Sequence, residues 1–195
     1  MKVKICGITT LEDALFAALC GADALGFVLY PPSKRFVPPH VVSEIVRALP
    51  PFVLSVGVFA QESASEVCAL AAQADVQLLQ LHNEALFDFC YPLRVLKVAR
   101  IASKGDVGAL NPSDFALCDT FCEGFGGEGL RTPLAFFENI DCSRKILAGG
   151  LTPENVGEAR RMGFYGVDVS SGVESAVGKK DPKKVQSFIA NAKAL

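Results

Sequence analysis

An eightfold alternation limits what this chain can fold into: a short apolar run, then a stretch with helical spacing, repeated from end to end. Lys2 to Cys6, Ala24 to Leu29, Val53 to Phe59, Val76 to Leu81, Arg94 to Val98, Phe115 to Cys118, Lys145 to Ala148 and Gly166 to Val169 read as strands. The helical segments are Thr9 to Leu19, Val41 to Leu49, Ser63 to Ala72, Glu84 to Tyr91, Ser103 to Leu110, Leu134 to Asn139, Pro153 to Met162 and Pro182 to Ala192. Strands alternating with helices argue for a parallel sheet, and eight such units close a (β/α)8 TIM barrel with no sheet edge left. The chain has 195 residues, against roughly 250 for most such barrels. Its crossovers must therefore be minimal, and the one after strand five is expected to be hardly helical. An open doubly wound sheet is the alternative.

Half of the residues are hydrophobic, which suits one sizeable core, and no linker divides residues 1–195, so a single domain is expected. The net charge of -2 comes from interspersed signs, which suggests neither a nucleic-acid face nor an acidic tail. Lys179-Lys180 and Lys183-Lys184 form the densest basic cluster and read as a solvated helix start. No apolar run approaches the about 18 residues that span a bilayer, and no signal-peptide pattern is seen. Seven scattered cysteines without a CxxC pair fit a reducing cytoplasm better than a disulfide framework or a thiolate metal cage.

Two stretches look like a phosphate cup. Ile146-Leu147-Ala148-Gly149-Gly150-Leu151-Thr152-Pro153 and Gly166-Val167-Asp168-Val169-Ser170-Ser171-Gly172 are apolar runs that stop at glycine or serine. Side-chain-free backbone at a strand end can offer N–H groups to an anion. Thr152 as N-cap and Pro153 at the first helical position predict a helix start beside it, whose dipole favours negative charge.

A barrel puts its ligand site at the C-terminal strand ends. The polar residues there are Cys6, His82, Arg100, Asp119 and the pair Asp168 and Ser170. Strand alternation puts Lys4 with Cys6 on one face, as it does Gln80 with His82 and Leu117 with Asp119. Cys6 is either a core thiol or, beside a cation or backbone donors, a base. Asp119 either caps a turn or, if burial raises its pKa, acts as a general acid. Arg35, in a proline-rich loop, is either solvated or a planar clamp for a carboxylate. His82 is one of only two histidines, so metal-ligand clusters are poorly supplied. His40, the other, reads as structural. Gly126-Gly127-Glu128-Gly129 lacks the Walker Gly-Lys-Ser/Thr and is either a plain turn or a lid. Gly26 and Gly57 can make room inside the barrel.

These residues together resemble the phosphoribosylanthranilate isomerase family over essentially the whole chain. The tracts that carry the likeness are Lys4-Ile5-Cys6-Gly7-Ile8-Thr9, Gly26-Phe27-Val28 with Ser33-Lys34-Arg35, Val56-Gly57-Val58-Phe59 and Gln80-Leu81-His82. Asp119 with Gly126-Gly127-Glu128-Gly129, then residues 147–156, 167–174 and 178–181 complete them in order. The resemblance implies Cys6 as general base, Asp119 as general acid, and Arg35 holding the anthranilate part. It also implies that Asp168 partners substrate hydroxyls and that Gly127, Gly149, Gly150, Ser170, Ser171 and Gly172 bind phosphate. Asn83 stands where the family usually has glycine, and Glu128 where serine or threonine is common.

The implied reaction is the Amadori rearrangement of N-(5-phospho-β-D-ribosyl)anthranilate to 1-(2-carboxyphenylamino)-1-deoxy-D-ribulose 5-phosphate in tryptophan biosynthesis. It calls for no cofactor and no metal. The implied partner is this small-molecule substrate, with no nucleic acid and no membrane; monomer and homodimer both stay open. Another phosphosugar isomerase or epimerase barrel, or a non-catalytic phosphosugar-binding protein, are the alternatives.

Overall fold

The structure is a computed structural model and describes residues 1–121 and 131–194. Its parallel strands are β1 (Lys2–Cys6), β2 (Ala24–Val28), β3 (Leu54–Phe59), β4 (Leu78–Leu81), β5 (Arg94–Ile101), β6 (Ala116–Thr120), β7 (Lys145–Leu147) and β8 (Gly166–Val169). They pair in sequence order, and β8 returns to β1 with Val3 opposite Val167 and Lys4 opposite Asp168. That seam closes the barrel and rules out the open doubly wound sheet.

The helices are α1 (Leu11–Leu19), α2 (Pro39–Ala48), α3 (Ala64–Ala74), α4 (Lys104–Gly108), α5 (Val156–Arg161) and α6 (Pro182–Lys193). Local chemistry sets their starts. The Thr10 hydroxyl accepts from the Asp13 N–H, Ser63 and Glu66 form a capping box, and Asp181 accepts from the N–H groups of Lys183 and Lys184. α6 buries Val185, Phe188, Ile189 and Ala192, the i, i+3, i+4, i+7 stripe of a helix lying on a sheet.

Three local expectations are corrected. The segment Glu84 to Tyr91 is one 3₁₀ turn, Glu84–Leu86, because its aromatic and cysteine residues are weak helix formers and Pro92 disfavours helical backbone before it. Leu134–Phe137 is likewise a 3₁₀ turn. The crossover after β5 is short, as expected: α4, held by a Ser103–Asp106 capping box, is only five residues long. α5 starts at Val156 rather than at Pro153.

Two apolar clusters organise the interior. One joins the outer strand faces to the helices, with Ile5, Leu25, Phe27, Leu79 and Val167 against Ala14, Ala17 and Phe188. The other, Leu96, Val98, Leu117 and Ala148 with Leu78 and Ile146, shares strand faces with Gln80, Arg100 and Asp119. Hydrocarbon therefore fills the barrel interior below a polar mouth. No described helix is long and apolar enough to cross a membrane.

Candidate active site

A cavity of about 420 Å³ opens at the C-terminal strand ends, within the range of small-ligand sites. Cys6, Arg35, Gln80, His82, Asp119, Gly149, Gly150, Asp168, Ser170, Ser171 and Gly172 all reach its wall. Residues separated by more than 160 positions thus converge because every strand ends at the same rim. Among the described residues no group of three or more His, Cys, Asp or Glu side chains could hold a metal ion.

Cys6 ends β1 and is 9% exposed. Opposite it in the β1–β2 register stands Gly26. A Cβ there would lie 2.8 Å from Cys6 Sγ and 2.8 Å from Lys4 Nζ, so the missing side chain is what lets both atoms occupy the mouth. Lys4, itself buried, donates to Asp168 Oδ1 at 2.9 Å across the closing seam. Burial pushes the Cys6 thiol above its ordinary value and outweighs the lowering effect of Lys4. Lys4 keeps its charge: burial opposes it, but Asp168 and Cys6 prevail and raise its pKa.

Asp119 ends β6. Burial, with the nearby Asp168 charge adding to it, pushes its carboxyl up to about 6, against the pull of the Thr120 N–H, Lys4 and Arg100. It therefore keeps its proton to a higher pH than an ordinary carboxyl, which favours use as an acid. His82 ends β4 and goes the other way. Burial first, then Lys4 and Arg100, lowers it to about 4, so the ring is neutral, with Nε2 3.1 Å from the Gln80 amide nitrogen. Arg100 sits beside Asp119 in the β5–β6 register, its guanidinium 5.1 Å from the Phe121 ring centroid.

The two glycine- and serine-rich stretches expected to hold phosphate are turns. Gly149 and Gly150 take φ values of 86° and 60°, conformations that side chains disfavour. Asn155 then ties the loop closed, donating to the Gly150 carbonyl at 2.9 Å and accepting from the Thr152 N–H at 2.8 Å. This Asx-type loop explains why α5 starts late. The second turn runs from Ser170 through the 3₁₀ segment Ser171–Val173. It meets the first so closely that a Cβ on Gly172 would lie 1.8 Å from the Leu151 carbonyl oxygen. Ser170 Oγ is buried there without a hydrogen-bond partner among the described residues, a polar atom suited to a ligand oxygen.

Arg35 is not a solvated loop side chain. Its Nε and one terminal nitrogen bind Glu174 Oε1 and Oε2 at 2.8 and 2.7 Å. Lys180 is the second correction: read as solvated, it is 2% exposed and donates to Glu174 at 2.9 Å and to the Ser170 carbonyl at 3.3 Å. It lies on a short hairpin, β9 (Glu174–Ala176) with β10 (Lys179–Lys180), placed between β8 and α6. Burial drives the Glu174 carboxyl up, but the Arg35 hydrogen bonds and the Lys180 charge prevail and hold it below its usual value. Gly127 and Glu128 lie outside the described residues.

Comparison with known proteins bears directly on this geometry. A sequence model of N-(5'phosphoribosyl)anthranilate (PRA) isomerase matches residues 3–191. The N-(5'-phosphoribosyl)anthranilate isomerase of Sulfurovum sp. (strain NBC37-1) is 50% identical over 198 residues, covering 100% of both chains. The chain belongs to the N-(5'-phosphoribosyl)anthranilate isomerase family. The crystal structure of the Thermus thermophilus phosphoribosyl anthranilate isomerase superposes with a TM-score of 0.84 at 38% identity and 98% coverage of each chain. Another isomerase of the family, solved in complex with reduced 1-(o-carboxyphenylamino)-1-deoxyribulose 5-phosphate, has a TM-score of 0.82 at 40% identity and 100% coverage of each.

Three polar residues of this isomerase-family site escape a search confined to strand ends. Lys4 lies one pleat below the rim, although strand alternation already puts it on the face of Cys6, where an inward lysine needs a partner. Glu174 and Lys180 belong to strands of three and two residues, too short for periodicity to reveal.

Proposed function

We propose that the protein performs the Amadori rearrangement of N-(5'-phosphoribosyl)anthranilate, with Cys6 as general base and Asp119 as general acid. Asp119 donates its proton to the furanose ring oxygen, and the C1–O bond breaks to leave a C1 iminium ion. Cys6 as thiolate takes the sugar C2 proton; the C2–H electrons form C1=C2 and the iminium π pair returns to nitrogen. The resulting enolamine tautomerises to the 2-ketose. Protons alone move, so the bond changes balance without an oxidant or reductant. Each positioned proton transfer contributes about 10² to 10⁴ in rate, roughly 3 to 5 kcal/mol.

Remote parts of the substrate hold it still. In this reading Gly149, Gly150, Ser170, Ser171 and Gly172 take the phosphate, joined by Gly127. Asp168 accepts from a sugar hydroxyl, and Arg35 offers N–H groups not given to Glu174 to the aromatic carboxylate. Binding energy from these groups fixes the two reacting atoms against the acid and the base.

The observation that carries the proposal is the opening of Cys6 and Asp119 into one cavity, the acid with a carboxyl pKa near 6. The test is conversion of freshly generated N-(5'-phosphoribosyl)anthranilate by the purified protein, followed as loss of substrate fluorescence. Conversion that competes with phosphosugar analogues is expected. Tight phosphosugar binding without product would instead make the chain a binding protein.

A further inference from the structure

Cys6 needs a positive neighbour if it is to remove a proton from carbon, because its burial favours the neutral thiol. Three cations face it: Lys4 on β1, Arg35 in the loop after β2, and Lys180 on β10. The anions around them are Asp168 on β8, Asp119 on β6 and Glu174 on β9, while His82 on β4 is neutral and Arg100 on β5 acts on Asp119 and His82.

Geometry separates the three cations. Arg35 and Lys180 are both committed to the carboxylate of Glu174. Lys4 is different: it donates to Asp168 Oδ1 at 2.9 Å and also reaches the Cys6 sulfur, and an ammonium has three donors. It lies on the Cys6 face of the same strand, and the gap over Gly26 brings Nζ and Sγ to within 2.8 Å of one point.

We propose that Lys4 is a positioning residue that holds the Cys6 thiolate, sharing its charge between that sulfur and the Asp168 carboxylate. This inference rests on the reading of Cys6 as the base. Asp168 orients the ammonium from the β8 side, so the closing seam of the barrel also sets the protonation state of the base. When Cys6 has taken the substrate proton, Lys4 falls back on Asp168 alone, and the pair of charges inside the mouth stays balanced.

The test is the rate of carboxamidomethylation of Cys6 by iodoacetamide at pH 8, read for the Cys6 peptide by mass spectrometry, with exposed Cys90 as internal control. Only the thiolate reacts. In Lys4→Gln the Cys6 rate should fall about tenfold, as for a rise of about one unit in thiol pKa, with Cys90 unchanged. Turnover should fall with little change in KM. A merely structural lysine would give the opposite sign, since a loosened barrel mouth exposes Cys6 and speeds its alkylation. If Lys4→Gln does not fold, the comparison is Lys4→Gln/Asp168→Asn against Asp168→Asn, which leaves no unpaired carboxylate in the double variant. Equal Cys6 alkylation rates with and without Lys4 would overturn the proposal. Normal turnover by Cys6→Ser would overturn the base assignment instead, whatever the alkylation rates.

Discussion

Arg35 gives one edge of its guanidinium fork to Glu174, with Nε 2.8 Å from Oε1 and a terminal nitrogen 2.7 Å from Oε2. Glu174 also receives Lys180, which in turn reaches the Ser170 carbonyl. One carboxylate therefore joins the loop after β2 to the turn that starts at Ser170. A bidentate pair of this kind is planar and directional, so the remaining donors of Arg35 point from a fixed plane.

Arg35→Ala should weaken binding of the carboxylated aromatic by about 1.5 to 3 kcal/mol, the worth of hydrogen bonds to a charged group. Inhibition constants of product analogues with and without the ring carboxylate measure this. The loss should be confined to the carboxylated analogue; equal losses for both would assign Arg35 to the architecture of the mouth.

Asp119 should cost stability above the pH at which it ionises. Its carboxyl titrates near 6 in the folded chain against an ordinary 3.8. Between those values the folded state holds the proton more tightly, so stability contributed by the neutral acid is present below pH 3.8 and lost as pH rises through 6. Asp119→Asn should thus raise the unfolding free energy at pH 8, by about 3 kcal/mol at most, and leave it unchanged near pH 3. Urea titrations at the two pH values give both numbers.

With Cys6 as the base and Asp119 as the acid, as proposed, turnover would need Asp119 protonated and Cys6 ionised, the reverse of their resting states near neutrality. The pH profile of kcat/KM should then be a bell with one limb near pH 6 and the other above the ordinary thiol range. Raising pH through the lower limb multiplies the thiolate before Asp119 empties, so activity climbs to a plateau there. In Asp119→Asn the limb near 6 should vanish, and the small residual rate should keep rising with pH. A lower limb that persists in Asp119→Asn belongs to another group.

Gly172→Ala should damage phosphate recognition first. The added Cβ meets a backbone oxygen at 1.8 Å, so the 151 and 170 turns must move apart. Inhibition by ribose 5-phosphate should weaken about tenfold or more, since misplaced donors lose most of a charge-assisted hydrogen bond. Unchanged inhibition would place the phosphate elsewhere.

Strand ends are legible from sequence here because each apolar run stops at a polar or glycine residue, which is how Cys6, His82, Asp119 and Asp168 align on one rim. The α6 stripe and its Asp181 cap are local signals, and they survive folding. Other features depend on partners distant along the chain. Nothing near Arg35 reveals that Glu174, 139 positions later, takes its fork, and nothing near Lys180 reveals its burial. Thr152 and Pro153 imitate a helix start, but Asn155 bonds back to Gly150 and delays it. The paired turn over Gly172 is a contact between two loops, which no single-window pattern can show.

The central claim is that one sulfur and one carboxyl divide the proton transfers of a single reaction. Steady-state turnover of N-(5'-phosphoribosyl)anthranilate by Cys6→Ser and by Asp119→Asn tests it most directly. Each substitution should lower kcat by about 10² to 10⁴ with KM nearly unchanged. Turnover within a few-fold of the parent in either correctly folded variant would contradict it.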